Sequence, residues 1–209
     1  MTRSALAAVL FTAIGLMPDH LGAQALWLEG AAAHVTWQPA GVTGSTLSGV
    51  TLAGAGGLAL GPVSVEAGYA EGRMTSTTSA TERPVLVEAF AALRVHPIGA
   101  LSIGGGPYGR AYVTDAEIRR WLLWQIRGRY EIPLVGPRLT GYAELWSGFG
   151  GGGAADAPDA ARGGGAGVML ALGPLAARLG YAIDDIRLGA GGGHETLERI
   201  TLAVGIGRP

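Results

Sequence analysis

The stretch 121–149, WLLWQIRGRYEIPLVGPRLTGYAELWSGF, limits what this chain can become. Alternate residues from Leu122 are Leu122, Trp124, Ile126, Gly128, Tyr130 and Ile132, and those between them are Leu123, Gln125, Arg127, Arg129 and Glu131. After a PLVGP turn at 133–137, Leu139, Gly141, Ala143 and Leu145 alternate with Thr140, Tyr142, Glu144 and Trp146. Successive side chains on a strand point to opposite faces, so this is a hairpin with one apolar face and one charged, aromatic face. A soluble sandwich turns its polar face to bulk water and needs few aromatics there. The charged face, the aromatics near the strand ends and the tight turn fit two staves of a membrane barrel.

The same rhythm runs through the chain, with further alternating segments at 26–38, 47–60, 63–74, 84–95, 101–113, 166–172, 175–188 and 199–207. In the first, Ala31, Ala33, Val35 and Trp37 share one face and His34 and Thr36 the other. In the second, Val50, Leu52, Leu58 and Leu60 point outward and Thr51, Ala53 and Ala55 inward. The third sets Val63, Val65, Ala67 and Tyr69 against Ser64, Glu66 and Gly68. With the opening hairpin this predicts an all-β, antiparallel up-and-down barrel of about ten strands, eight being the alternative. Connector lengths alternate as well. Short ones are Gly61-Pro62, 96–100, 133–137 and Gly173-Pro174; longer ones are 41–45, 75–83, 114–119, 150–164 and 189–198. Short turns at one end and long loops at the other are how an outer-membrane barrel is built, with both termini in the periplasm.

Mean hydropathy is +0.32, yet the only long uncharged apolar run is at the N-terminus, so apolar residues are spread in alternation rather than gathered into spanning helices. A formal net charge of −1 argues against a nucleic-acid partner. With no Cys, disulfides and a lipid anchor on Cys are excluded. Residues 1–25 read as a secretory signal: Arg3 supplies the positive region, 5–16 the apolar region, and Ala23-Gln24-Ala25 the cleavage site. A retained anchor helix is the alternative, but Pro18, Asp19 and His20 end the apolar run short of the roughly 20 residues a span needs. The expected division is a leader at 1–25 and a barrel at 26–209.

Trp27, Trp37, Trp124, Trp146 and Phe149 fall near strand ends, where membrane-interface aromatics belong; ordinary packing is the alternative for any one of them. A weak repeat, LGPVSVEAGYA at 60–70, VGPRLTGYA at 135–143 and LGPLAARLGYA at 172–182, predicts Tyr69, Tyr142 and Tyr181 at similar heights.

In its leader, its Ala/Gly-rich alternating strands and its meander to the C-terminus, the chain resembles small bacterial outer-membrane β-barrel proteins over about residues 26–209. The resemblance is architectural and carries no functional residue across. It implies the lipid bilayer and the barrel-assembly machinery as partners. Such proteins usually end on an aromatic residue; this chain ends on Ile200, Leu202, Val204, Ile206 and then Gly207-Arg208-Pro209.

Barrel enzymes of this size resemble either the omptin proteases, with paired Asp and Asp–His at the outer rim, or lipid A deacylases and phospholipases, with a Ser–His dyad on the wall. Asp184, Asp185, His194 and Glu195 lie around the last outer loop, but their spacing departs from the omptin pattern and adjacent aspartates point to opposite faces. His34 and Thr36 share a face without a nearby carboxylate. No catalytic residue is therefore assigned, and the chain is not expected to be an enzyme. The Gly runs at 104–106, 150–153 and 191–193 lack the strand–loop–helix setting of a phosphate cradle. No cofactor is expected, and the acid and His residues of 189–198 lack metal-ligand spacing.

Inward positions hold Glu66, Glu88, Glu131, Glu144 and Asp184 against Arg94, Arg110, Arg127, Arg129, Arg178 and Arg199. A selective pore shows one sign on its wall, whereas a near-balanced set reads as an ion-paired plug. Register counting puts Arg127 opposite or diagonal to Glu144, Glu66 near Arg94, Glu88 near Arg110, and Gly104 and Gly106 near Arg129 and Arg127. The sequence thus favours a structural or interaction barrel with a charge-paired lumen. A narrow channel for small solutes is the alternative, and a rim-located hydrolase ranks below it. No extracellular ligand is specified.

Overall fold

The computed structural model describes residues 24–39, 46–76, 83–114, 118–153, 158–189 and 193–207. Among them are ten strands: β1 (Gln24–Gln38), β2 (Leu47–Leu60), β3 (Val63–Ser76), β4 (Val85–Ile98), β5 (Leu101–Val113), β6 (Ile118–Val135), β7 (Leu139–Gly153), β8 (Pro158–Leu172), β9 (Leu175–Leu188) and β10 (His194–Ile206). Each pairs antiparallel with the next. β1 pairs with β10 from Leu28↔Ile206 to Gln38↔Thr196, which closes the barrel and leaves no free edge.

Burial alternates along every strand. Leu52, Leu93, Ile126, Leu145, Leu179 and Leu202 all point outward, and Leu145 is 73% exposed. Water would penalise such a surface around a whole barrel, but hydrocarbon does not. The strands run from 13 to 18 residues, longer than the roughly 9–11 a tilted strand needs to cross a bilayer.

At one end the strands are joined by two or three residues, at 61–62, 99–100, 136–138 and 173–174; at the other by 39–46, 77–84, 114–117, 154–157 and 189–193. Gly61 (φ 63°) and Gly173 (φ 67°) open two-residue Gly-Pro turns whose positive φ matches the twist of the hairpin. These are the short-turn end and the long-loop end below.

Two boundaries depart from the sequence reading. The run 150–164, expected as a loop, is largely strand: β7 continues to Gly153 and β8 begins at Pro158, leaving 154–157 outside the described residues. Its glycines serve the sheet, for Gly163, Gly164 and Gly165 pair with Trp146, Leu145 and Glu144. Likewise β10 begins at His194 rather than Arg199, so His194 and Glu195 belong to the wall, not to a loop. The leader lies outside the described residues except Gln24 and Ala25, which pair with Leu60 and Ala59.

Candidate functional site

The inward face of the barrel is layered from end to end. Three to five residues in from the long-loop ends of their strands, two acids and two arginines from opposite walls meet. Glu88 of β4 pairs directly with Arg110 of β5 in register. Arg110 donates from Nε to Glu88 Oε1 at 3.0 Å and from Nη2 to Asp184 Oδ2 at 2.5 Å. Arg199 of β10 donates from Nη1 to Glu88 Oε2 at 3.0 Å and from Nη2 to Asp184. The Trp146 indole donates to Asp184 Oδ1 at 3.0 Å, and the Tyr108 hydroxyl donates to Glu88. The side chains of Arg110, Asp184 and Glu88 are buried, so the centre of the knot is dry, while Arg199, 25% exposed, closes it on the cavity side. Burial of four charges is tolerable only because each faces an opposite charge and hydrogen bonds take up the remaining lone pairs.

Between this knot and the long-loop end, two apolar cores fill the barrel. Val35 and Trp37 (β1), Leu47, Met74, Leu86, Tyr112 and Leu197 form one. Tyr108, Trp121, Leu123, Trp146, Ala161, Ile186 and Leu188 form the other. Trp37 stacks on Tyr112 with ring centroids 4.1 Å apart, and the Arg119 guanidinium sits 5.0 Å over Tyr112. Arg119 donates to Glu195 Oε2 at 2.9 Å, and the Tyr112 hydroxyl also donates to Glu195, which is fully buried. Gly163 makes the second core possible: a Cβ there would collide with the Trp146 indole and the Asp184 carboxylate.

On the other side of the knot the lumen opens into a cavity of about 460 Å³ that reaches the short turn at Gly99 and Ala100. Its deepest lining residues are Thr51, Glu88, Tyr108, Trp146, Asp184 and Arg199, and among the described residues none of the lining lies beyond that level toward the long loops. Four ion pairs stud its wall. Arg94 clasps Glu66 through Nε (3.3 Å) and Nη2 (2.7 Å) and donates to Ser102 at 2.9 Å. Arg178 clasps Glu29 through the same two nitrogens. Arg127 lies 3.3 Å from Glu144, and Arg129 2.9 Å from Glu131. The Arg129 guanidinium also lies 4.4 Å over the Tyr142 ring. That ring occupies space kept open by Gly167 and Gly180, whose Cβ atoms would meet its hydroxyl.

The inward residues read from the sequence therefore separate into two groups. Glu88, Arg110, Asp184 and Arg199 meet in the dry knot; Glu66, Arg94, Arg127, Arg129, Glu131, Glu144 and Arg178 line the cavity. Glu66 with Arg94 and Glu88 with Arg110 pair as register counting placed them, and Arg127 reaches Glu144 diagonally, because its direct partner is Trp146. The glycine expectation is off by one pair. Gly104 faces Arg127, Gly106 faces Gln125, and Arg129 faces Ser102.

Glu29, Arg119, Glu195, Tyr108 and Tyr112 complete the lumen network and escaped the acid–arginine reading. Glu195 falls in the 189–198 run that the sequence marks as a loop, and Glu29 sits in a strand whose apolar alternation hides the inward face; its parity with Trp27 and Ala31 is the usable signal. Three interface aromatics need correction. Trp27, Trp37 and Trp146 are buried inside the barrel, whereas Trp124 and Phe149 face outward as a directly paired couple. The outward face of β1 carries Leu26, Leu28 and Ala32, which fixes the parity of both its tryptophans inward. Tyr142 is inward too, while Tyr69 and Tyr181 are outward, because the turn before β7 has three residues where the equivalent turns have two. At the rim, Asp184 and Asp185 point to opposite faces. Asp185 meets His194 at 3.2 Å and Arg162 at 3.0 Å on the outer surface, and Glu195 points inward, so the four rim residues do not converge.

No protein-family model matches the chain, and no curated protein sequence does. Solved structures do. The outer membrane protease OmpT from Escherichia coli is 7% identical with a TM-score of 0.53, covering 93% of this chain and 99% of its own. An outer membrane channel from Pseudomonas putida F1 is 13% identical with a TM-score of 0.52, covering 92% of this chain and 100% of its own. At such identities the likeness speaks for architecture only, and on that level the chain has the fold of the bacterial outer-membrane β-barrels.

Proposed function

We propose that the protein is an integral β-barrel of the bacterial outer membrane, exported through a cleaved leader, with long loops outside the cell and short turns in the periplasm. Its lumen is held shut, and its role is structural or one of interaction rather than conduction or catalysis. The observation that carries this reading is the knot of Glu88, Arg110, Asp184 and Arg199, backed toward the long-loop end by two packed apolar cores. A continuous pore would need a water-lined path past that level, and the lining of the cavity stops there.

A narrow solute channel is the second reading. The cavity at the short-turn end favours it, because only the knot and the cores would have to part.

Orientation and location are tested together by thiol labelling, since the native chain has no Cys to interfere. Arg162→Cys at the long-loop rim, where the side chain is 76% exposed, should react with a membrane-impermeant maleimide on intact cells. Gly99→Cys in a short turn should react only after the outer membrane is permeabilised. Labelling in the reverse order would invert the topology, and protein recovered in the soluble periplasmic fraction would remove it from the membrane.

A further inference from the structure

The cavity at the short-turn end ends blindly at the knot. A space of about 460 Å³ lies in the size range of small-molecule sites, and its wall mixes ion pairs with the rings of Trp27, Phe90 and Tyr142. Arginine usage in it is uneven. Arg178 spends the Nε/Nη2 edge of its guanidinium on both oxygens of Glu29, in the two-pronged geometry that suits an oxyanion, and Arg94 spends the same edge on one oxygen of Glu66. Arg129 does not. Its Nε and Nη2 are buried with no hydrogen-bond acceptor in the protein, because Glu131 lies 2.9 Å from Nη2 but out of line with its N–H bonds. Arg127, two residues away on the same face of β6, also has a buried Nε without an acceptor, and holds Glu144 through a single contact at 3.3 Å. Buried donors left without acceptors are costly, and two on neighbouring arginines of one cavity wall call for an external acceptor.

We propose that this cavity is a binding site for a small organic oxyanion, a carboxylate or phosphate ester with an apolar body, entering from the short-turn end and held between Arg127 and Arg129. A swing of the Arg129 guanidinium off the Tyr142 ring presents its Nε/Nη2 edge to two ligand oxygens, and Arg127 Nε takes a third contact. The apolar body rests against Trp27 and Phe90. Glu131 and Glu144 keep the site electrically balanced, so the ligand competes with Glu131, three times as exposed as Arg129, and with Glu144, as exposed as Arg127. The site rests on the sealed-lumen reading, since a one-ended cavity retains a solute that a through-pore would pass.

The test is equilibrium binding to the mature barrel folded in detergent micelles, with benzoate and phenyl phosphate as probes and benzylammonium as a cationic control. Calorimetry supplies the affinity, and fluorescence reports on Trp27 and Trp146, which line the cavity. Saturable binding of at least one anion is expected, weakened by about tenfold or more in Arg129→Met and by a similar factor in Arg127→Met. Arg129→Lys, which keeps the charge and loses the fork, should also bind weakly and stands in if the Met variant does not fold. Arg162→Met, on the outer surface, should bind like the wild type. The proposal is overturned if neither anion binds saturably, if benzylammonium binds as well as the anions, or if the Arg129 and Arg127 variants keep wild-type affinity. Binding in micelles does not depend on conduction, so a conducting barrel that fails to bind and a sealed barrel that fails to bind are told apart by bilayer recordings.

Discussion

Residues of identical chemistry have different worth in this lumen, and water decides which. Asp184 sits 3% exposed between two guanidiniums and an indole, whereas Glu144 is 21% exposed and borders the cavity. Removing the charge of Asp184 leaves Arg110 and Arg199 to share the single carboxylate of Glu88, with Arg110 fully buried, where loss of one partner costs about 3–5 kcal/mol. Removing that of Glu144 leaves Arg127 beside a space that can hydrate it, so the cost should stay under about 1 kcal/mol. Denaturant midpoints of the barrel in detergent check both: Asp184→Asn should fall far below wild type and Glu144→Gln should stay close to it. Equal losses would mean that knot and cavity share one environment. Arg110→Met placed beside Asp184→Asn should recover part of the deficit, because it removes one of the two cations left to share Glu88.

Strands carry their information in parity, and parity is what the sequence displayed well. For β2 to β7 and β9 the alternation assigns inward and outward faces directly, Tyr142 included, because leucines and valines occupy one face and charges the other. It failed where small residues blurred the contrast. In β8 the run GGGAG has no hydrophobic period, and glycine reads as loop until its partner is known to be an indole. In β1 the alanines fill both faces, so the tryptophans were assigned to the membrane. The turn before β7 shows how finely the pattern is set: its one additional residue sends Tyr142 inward, where its ring supports Arg129. The packing role of Gly163 is open to measurement. Gly163→Val should force Trp146 and Asp184 apart and lower the unfolding free energy by at least the roughly 1–3 kcal/mol of an overpacked core, visible as loss of the compact, heat-modifiable band on gels. Gly128→Val, where a Cβ meets nothing within 4 Å, should be tolerated.

The whole molecule combines an outer surface made for hydrocarbon with an interior that, toward its long-loop end, is packed like that of a soluble protein. Export follows from the leader reading, and the intact mass of the mature protein should correspond to a chain starting at Leu26; a mass that retains residues 1–25 would refute cleavage there. Interior packing determines what the barrel can transmit. Ten strands enclose room for side chains and some water, and here the side chains fill the long-loop end while the rest of the lumen, down to the short turn at Gly99, keeps a cavity. The account stands on that division. Its most direct test is the recording of purified, folded protein in planar lipid bilayers at moderate salt. A lumen closed by the Glu88–Arg110–Asp184–Arg199 knot predicts a current indistinguishable from the bare membrane, while reproducible stepwise conductance from the wild-type barrel would contradict it and put the channel reading in its place.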